Sequence, residues 1–293
     1  MFSVVIPLYN KQESIYNTIK SVLNQTYTNF EIVLVNDGST DNSLEVVEKI
    51  IDPRIRIIDK PNGGVSSARN KGIEEATKEW IAFLDGDDLW KENHLEEYNK
   101  AIINNKNLNW LFSGYTSRNS IKEYNFIYHK KGVLENIFVD LLNGIKIHTS
   151  AVCINKSLYI KYKDLYFTEG INNSEDREVW YKLCCIDQSP YYINKSLSIY
   201  TLDNINSLTR TNQNLFFLTM LDRLKNYIKL INCHDRKILV SIIYKINKIA
   251  LYNRWDKTKK EEYLNNEYFN KYERKFLKIV PKKIYIEYVK KYN

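Results

Sequence analysis

This chain lacks the cysteine patterns that form disulfide frameworks or zinc sites. Its four cysteines, Cys153, Cys184, Cys185 and Cys233, show no CxxC spacing, and its four histidines fall at no metal-ligand interval from them. That argues against a zinc module and a disulfide scaffold, and reduced thiols in a cytoplasmic protein are the expectation. Long apolar runs are missing too. The greasiest late segment, ILVSIIYKINKIALY, is broken by Lys245 and Lys248, and Met1-Phe2 leads straight into SVVIPL without a basic leader. Neither a membrane-spanning helix nor a signal peptide is therefore expected. Internal repeats and low-complexity linkers are also absent.

What remains is an ordinary folded composition. With 293 residues, 44% hydrophobic and 13% aromatic, the chain can bury one large core or divide into a large and a small domain. The net charge of +8 is compatible with nucleic acid, an anionic membrane surface or a phosphorylated substrate, so its sign alone selects no partner. No RNP-like or C₂H₂ pattern accompanies the basic residues, and a nucleic-acid partner is not expected.

The N-terminal third alternates. SVVIPL (3–8), FEIVLV (30–35), RIRIID (54–59) and WIAFLD (80–85) read as strands, separated by segments of helical spacing. Ile15, Ile19, Val22 and Leu23 line one such helix, and Leu44, Val47, Ile50 and Ile51 a second, opened by the capping stretch Asp41-Asn42-Ser43. This order predicts an α/β fold, a mostly parallel sheet flanked by helices, with ligands at the carboxyl ends of its strands. Later, WLFSGYTS (110–117) and HTSAVCI (148–154) read as strands, and LENIFVDLL (134–142) and DREVWYKLCC (176–185) as helices. From Thr211 the chain turns helical, with Phe217, Met220, Leu221, Leu224, Ile228 and Ile231 on one apolar stripe expected to pack on the main domain.

At the ends of three of the early strands sit Pro7-Leu8-Tyr9-Asn10, Asn36-Asp37-Gly38-Ser39 and Asp85-Gly86-Asp87-Asp88. Three carboxylates within four residues repel one another unless a cation joins them or one stays protonated. A hard divalent ion, Mg²⁺ or Mn²⁺, suits such a loop, because it accepts one or two carboxylates and completes its shell with water and phosphate oxygens. An acidic turn is the plain alternative.

SVVIPLYNKQESI, SVLNQTYTNFEIVLVNDGSTDNS, NGGVSSARNKGIEEA and WIAFLDGDDLW, in this order and spacing, resemble the family 2 glycosyltransferases, inverting nucleotide-sugar enzymes of the GT-A fold. The resemblance is specific over residues 3–100, weakens to about 210 with NSEDREVWYKL as its further landmark, and fades in the helical end. It implies a catalytic domain over 1–210, with a nucleotide-sugar half (1–100) and an acceptor half (101–210), followed by a helical region over 211–293.

The resemblance also implies site residues. Pro7, Tyr9 and Asn10 would line the nucleotide pocket, Asp37 would accept the uracil N3–H, Arg69 would lie by the base and diphosphate, Asp85 would reach the ribose or the metal, and Asp87 would ligate Mn²⁺ or Mg²⁺. Asp176 would be the general base and Glu175 its orienting neighbour; the plain alternative is that both only complement a helix dipole. Relatives often supply a late histidine to the metal or diphosphate; YTLDNINSLTR has none, and Asn204, Asn206 or Ser207 would take that contact. The donor implied is a UDP-sugar, with a dTDP-sugar as the open alternative because thymine presents the same N3–H, and the acceptor is a glycan or lipid-linked oligosaccharide of bacterial surface polysaccharide. A haloacid dehalogenase-like phosphatase, which also uses Asp-x-Asp, and a non-catalytic nucleotide- or glycan-binding module are the rival readings. Between Arg254 and Asn293, twelve Lys/Arg stand against six Asp/Glu, which reads either as a solvated helical face or as a surface for anionic lipid at the inner face of the plasma membrane.

Overall fold

The computed structural model describes residues 1–171, 175–202 and 220–253. The chain divides into two compact units, Met1–Asn212 and Gln213–Asn293. The first begins with the expected alternation: β1 (Phe2–Leu8), α1 (Ile15–Leu23), β2 (Phe30–Asp37), α2 (Ser43–Glu48), β3 (Ile55–Lys60), α3 (Val65–Glu75) and β4 (Trp80–Phe83). There follow β5 (Leu89–Trp90), α4 (His94–Asn104), β6 (Trp110–Arg118), β7 (Glu123–Phe126), β8 (Gly132–Val133), α5 (Ile137–Leu142), a 3₁₀ turn (Thr149–Ala151), β9 (Val152–Asn155), α6 (Ser157–Lys161), α7 (Glu175–Ile186) and β10 (Tyr191–Thr201).

One sheet runs in the order β3-β2-β1-β4-β9-β6-β10-β5, with β7 on β6 and β8 on β10. Its first four strands are parallel, as expected of a βαβα chain. Val4, Val5 and Ile6 of β1 and Ile32 to Val35 of β2 are fully buried, which is what a strand covered on both faces requires. Beyond β4 the sheet is mixed: β9 is antiparallel to both β4 and β6, while β10 is parallel to β6. The cause is local: the turn before β9 lies beside the carboxyl end of β4, where Ser150 Oγ accepts from the Asp85 amide at 3.1 Å. A strand leaving that point must run back along β4.

Two local expectations are corrected. HTSAVCI becomes a strand only at Val152, its first part forming the 3₁₀ turn. Ile51 is 98% exposed, because α2 ends at Glu48 and only Val47 of the expected apolar stripe is fully buried. The Asp41 side chain does help to start α2, its Oδ1 accepting from the Ser43 amide at 2.9 Å.

An aromatic wedge joins the two halves of this unit. Phe83 at the end of β4, Phe167 and Trp180 of α7 meet edge to face, with ring centroids 5.6 to 5.9 Å apart. All three are buried, and each such side chain contributes about 1.5–3 kcal/mol. The wedge sets the first turn of α7 beside the loop after β4.

The second unit contains α8 (Met220–Ile228) and α9 (Cys233–Asn253). Met220, Leu224 and Tyr227 of the stripe's helix are buried. Phe217, Asn204, Asn206, Ser207 and the basic tail 254–293 lie outside the described residues. Among those described, no helix is long and apolar enough to cross a membrane.

Candidate functional site

The loop after β4, Asp85 to Asp88, is held from two sides. On one, the hydroxyls of Ser14 and Thr18 donate to the Gly86 carbonyl at 2.9 and 3.1 Å, fixing the loop to α1. On the other, Ser150 Oγ donates to Asp88 Oδ2 at 2.5 Å. The 3₁₀ turn carrying Ser150 is itself pinned, since Trp90 Nε1 donates to the Ser150 carbonyl and Tyr98 Oη to the Ala151 carbonyl, both at 2.7 Å.

The three aspartates thereby take different surroundings. Asp88 is 1% exposed; burial and the charges of Asp87 and Asp85 push its carboxyl well above the usual range, against the hydrogen bonds from Ser150 and the Thr201 amide. It ties the loop to β10. Asp85 moves the other way: burial disfavours its charge, but the Arg69 guanidinium at 2.7 Å outweighs that and holds the carboxyl below its ordinary value. Asp87 faces the Lys11 ammonium at 2.5 Å.

Arg69 is the centre of the arrangement. It lies in α3, is 4% exposed, and donates through one terminal nitrogen to Asp85 and through the other to Glu175 Oε1 at 2.9 Å. Its guanidinium also lies over the Phe167 ring at 5.2 Å. Burial disfavours its charge, yet Asp85, Glu175 and Asp176 together keep it firmly protonated. Asn70, its neighbour, exchanges two hydrogen bonds with the Phe167 backbone at 2.8 and 2.9 Å and so fixes the segment leading toward α7.

At the start of α7, Glu175 is raised by burial and by Asp176, with Arg69 opposing. Asp176 Oδ2 accepts from Thr149 Oγ1 at 3.0 Å. Thr149 and Ser150 are consecutive, so one short turn orients both Asp176 and the acidic loop. His148, just before them, stacks on Tyr115 at 4.5 Å and stands 3.7 Å from Asp88; burial lowers its pKa against the pull of Asp85, Asp176 and Asp87.

The residues expected to line a nucleotide pocket gather at the ends of β1 and β2. Pro7 lies in β1, and its carbonyl is 3.0 Å from where a Cβ on Gly86 would stand. Tyr9 is 45% exposed. Asn10, at φ 51°, accepts on Oδ1 from the Thr40 amide at 2.8 Å, joining the two strand-end loops. Asp37 is 2% exposed and already holds three donors: Lys60 Nζ at 2.6 Å and the Gly63 amide at 3.0 Å on Oδ1, and the Gly64 amide at 2.8 Å on Oδ2. Gly64 adopts φ 88°, which a side chain would resist, and this lets its amide turn toward Asp37 as α3 begins.

Asp85, Arg69, Glu175 and Asp176 are therefore brought together, with Asp87 two residues from Asp85. Thr149, Ser150, Asn70 and Lys60 were not legible as site residues; the only signal was a polar His-Thr-Ser immediately before an apolar strand. Among the described residues, no three His, Cys, Asp or Glu side chains gather to hold a metal ion. Asp87 and Asp85 would supply the protein's part of a Mg²⁺ or Mn²⁺ shell completed by phosphate and water, and Asp87 is already paired with an ammonium, that of Lys11.

Comparison with known proteins places this geometry in a lineage. Residues 3–161, more than half of the chain, match the model of "Glycosyl transferase family 2". An uncharacterized glycosyltransferase of Rickettsia bellii is 36% identical over 182 residues, which is 61% of this chain and 25% of that protein, so the chain spans a quarter of that relative's length. Glycosyltransferase GlyG of Streptococcus pneumoniae is 29% identical over 68% of this chain and 70% of its own. Among solved structures, S. aureus TarS 1-349 in complex with UDP-GlcNAc superposes with a TM-score of 0.78 at 20% identity, covering 90% of this chain and 78% of that one. The mannosyltransferase PcManGT of Pyrobaculum calidifontis, in complex with GDP-Man and Mn²⁺, gives 0.59 at 15% identity over 85% of this chain and 71% of that one. The fold is the GT-A arrangement of these structures, and the chain belongs to glycosyltransferase family 2.

Proposed function

We propose that this protein transfers a hexose or N-acetylhexosamine from a UDP-sugar to a hydroxyl of a glycan or lipid-linked oligosaccharide, with inversion at the anomeric carbon. The observation that carries the reading is the buried Arg69 bridge, which links Asp85 behind β4 to Glu175 at the head of α7, 106 residues away from Arg69 in sequence. It couples the donor side of the pocket to the side where an acceptor would be activated.

Each residue then has a physical task. The Tyr9 ring offers a face to the uracil. An ionised carboxylate has about four acceptor directions; three at Asp37 are engaged, and the remaining one on Oδ2 suits the uracil N3–H. Asn10 joins the two strand-end loops through the Thr40 amide, and Asn10 and Pro7 line the nucleotide pocket. A divalent cation, Mn²⁺ or Mg²⁺, on Asp87 with Asp85 beside it would offset the charge that grows on the leaving diphosphate. Arg69 keeps Asp85 ionised for the ribose or the ion, and Glu175 orients the guanidinium.

The acceptor oxygen attacks the anomeric carbon as the bond from that carbon to the diphosphate oxygen breaks. Its proton passes to Asp176, and UDP leaves with the bonding pair. One displacement gives one inversion. The TarS complex with UDP-GlcNAc supports a UDP donor, and the PcManGT complex with Mn²⁺ supports a divalent ion.

Asp176→Asn tests the assignment directly. The variant should bind UDP and Mn²⁺ as the wild type does and lose sugar transfer by about 100-fold or more; transfer at the normal rate removes Asp176 from the role of base. Slow hydrolysis of UDP-, dTDP- and GDP-sugars with Mn²⁺ names the donor. In the same reading the tail, residues 254–293, attaches the enzyme to anionic lipid, and its deletion should abolish association with vesicles containing anionic lipid.

A further inference from the structure

Lys11 stands immediately after the Tyr9-Asn10 pair and has no part in the scheme above. Its backbone is rigidly anchored: the amide donates to Ser43 Oγ at 2.7 Å, and the carbonyl accepts from the Ser14 and Ile15 amides at 3.0 and 2.9 Å. Its stem runs past Gly86, with Cγ 3.6 Å from where a Cβ would stand on that glycine. The ammonium reaches Asp87 Oδ2 at 2.5 Å, and each side chain of the pair is 16% exposed. Ser14 and Thr18 clamp the Gly86 carbonyl, so the acidic loop and the start of α1 are one rigid piece around this contact.

A lysine on the carboxylate that would ligate a divalent ion poses a charge conflict. A monovalent and a divalent cation cannot share Oδ2 at contact distance in a partly desolvated site without strong repulsion. One must move, and the lysine has the flexible stem. The nearest chemistry suited to a displaced ammonium is the diphosphate that arrives with the ion.

We propose that Lys11 competes with the divalent cation for Asp87 and is released onto the donor diphosphate, making metal and nucleotide binding mutually dependent. Lys11 thus neutralises the acidic loop when no donor is bound, and disfavours the ion until phosphate oxygens are present to receive the ammonium. This rests on Asp87 being the metal ligand. Because coupling between two ligands is reciprocal, the same residue should weaken Mn²⁺ alone and strengthen UDP in the presence of Mn²⁺.

The experiment is Mn²⁺ binding, followed by calorimetry and by the signal of free Mn²⁺ in electron paramagnetic resonance, with and without UDP. It compares the wild type with Lys11→Met, Lys11→Arg and Asp87→Asn. Lys11→Met should bind Mn²⁺ alone about three- to tenfold more tightly than wild type, and UDP with Mn²⁺ more weakly by a similar factor. Lys11→Arg, which keeps the charge, should stay near the wild type for Mn²⁺ alone and shows that any change is electrostatic. Unchanged or weaker Mn²⁺ binding by Lys11→Met overturns the inference, as does equal tightening in Lys11→Arg. If, with UDP present, Mn²⁺ binds equally to wild type and Asp87→Asn, the ligand assignment of Asp87 falls, and the competition at that carboxylate falls with it. Far-ultraviolet circular dichroism and thermal midpoints confirm that each variant is folded.

Discussion

Replacing Arg69 by methionine keeps an unbranched apolar stem and removes the guanidinium between Asp85 and Glu175. Two carboxylates that burial already disfavours then lose the cation that held them. Removing one partner of a buried ion pair costs about 3–5 kcal/mol; the lower end applies because the Asp85 side chain is 30% exposed. The penalty should also depend on pH, with a definite sign. In the wild type Asp85 titrates below its unfolded value, so its contribution is present above about pH 4 and is lost as pH falls further. In Arg69→Met the folded values of Asp85 and Glu175 both rise. The native state then binds more protons than the unfolded chain, and the contribution of these groups falls as pH increases through the raised values. Denaturant unfolding followed by tryptophan fluorescence at pH 5 and pH 7.5 measures both effects. The expected loss is about 3 kcal/mol at pH 7.5, with about 1 kcal/mol or more recovered at pH 5. A loss under about 1 kcal/mol at both pH values would show that Arg69 is not the electrostatic centre of this site.

Thr149→Val keeps the shape of a buried side chain and deletes the hydroxyl that donates to Asp176. Steady-state transfer assays should show kcat reduced by about 10- to 100-fold with the donor KM nearly unchanged, and Thr149→Ser should restore most of it, since misplacement of a reacting group acts on the chemical step; a normal kcat in Thr149→Val would leave the hydrogen bond without a catalytic consequence. Gly72→Ala tests the close packing of α3 on β1, because an added Cβ would lie 2.3 Å from Val5 Cγ1. Denaturation should show a loss of about 1–3 kcal/mol, largely recovered in the Val5→Ala, Gly72→Ala double variant, and additivity of the two single changes would contradict a steric cause.

Much of the stretch from β1 to β4 was readable in the chain because its determinants are local. The strands β1 to β4 are continuous β-branched and aromatic runs, the helices between them have a period of 3.6, and the motifs at the strand ends follow in sequence order. Reading failed where a later contact overrode the local pattern. Ile51 looked like part of a helical stripe, but α2 ends three residues earlier and leaves it in solvent. His148 to Ser150 looked like the start of a strand, but Trp90 holds the Ser150 carbonyl and Tyr98 that of Ala151, fixing the segment as a turn.

Read alone, the chain carried the resemblance to the family and the βαβα beginning, and through that resemblance it pointed to Asp85, Asp87, Arg69, Glu175 and Asp176 as candidate site residues. Their partners come from the fold: Arg69 joins Asp85 to Glu175, Asp88 turns inward to Ser150 and Thr201, Asp37 holds the Gly63-Gly64 loop, and Lys11 sits on Asp87. The physical reason is that a charged side chain takes its pKa and its role from neighbours within a few ångströms. In this chain those neighbours are separated by up to 113 residues.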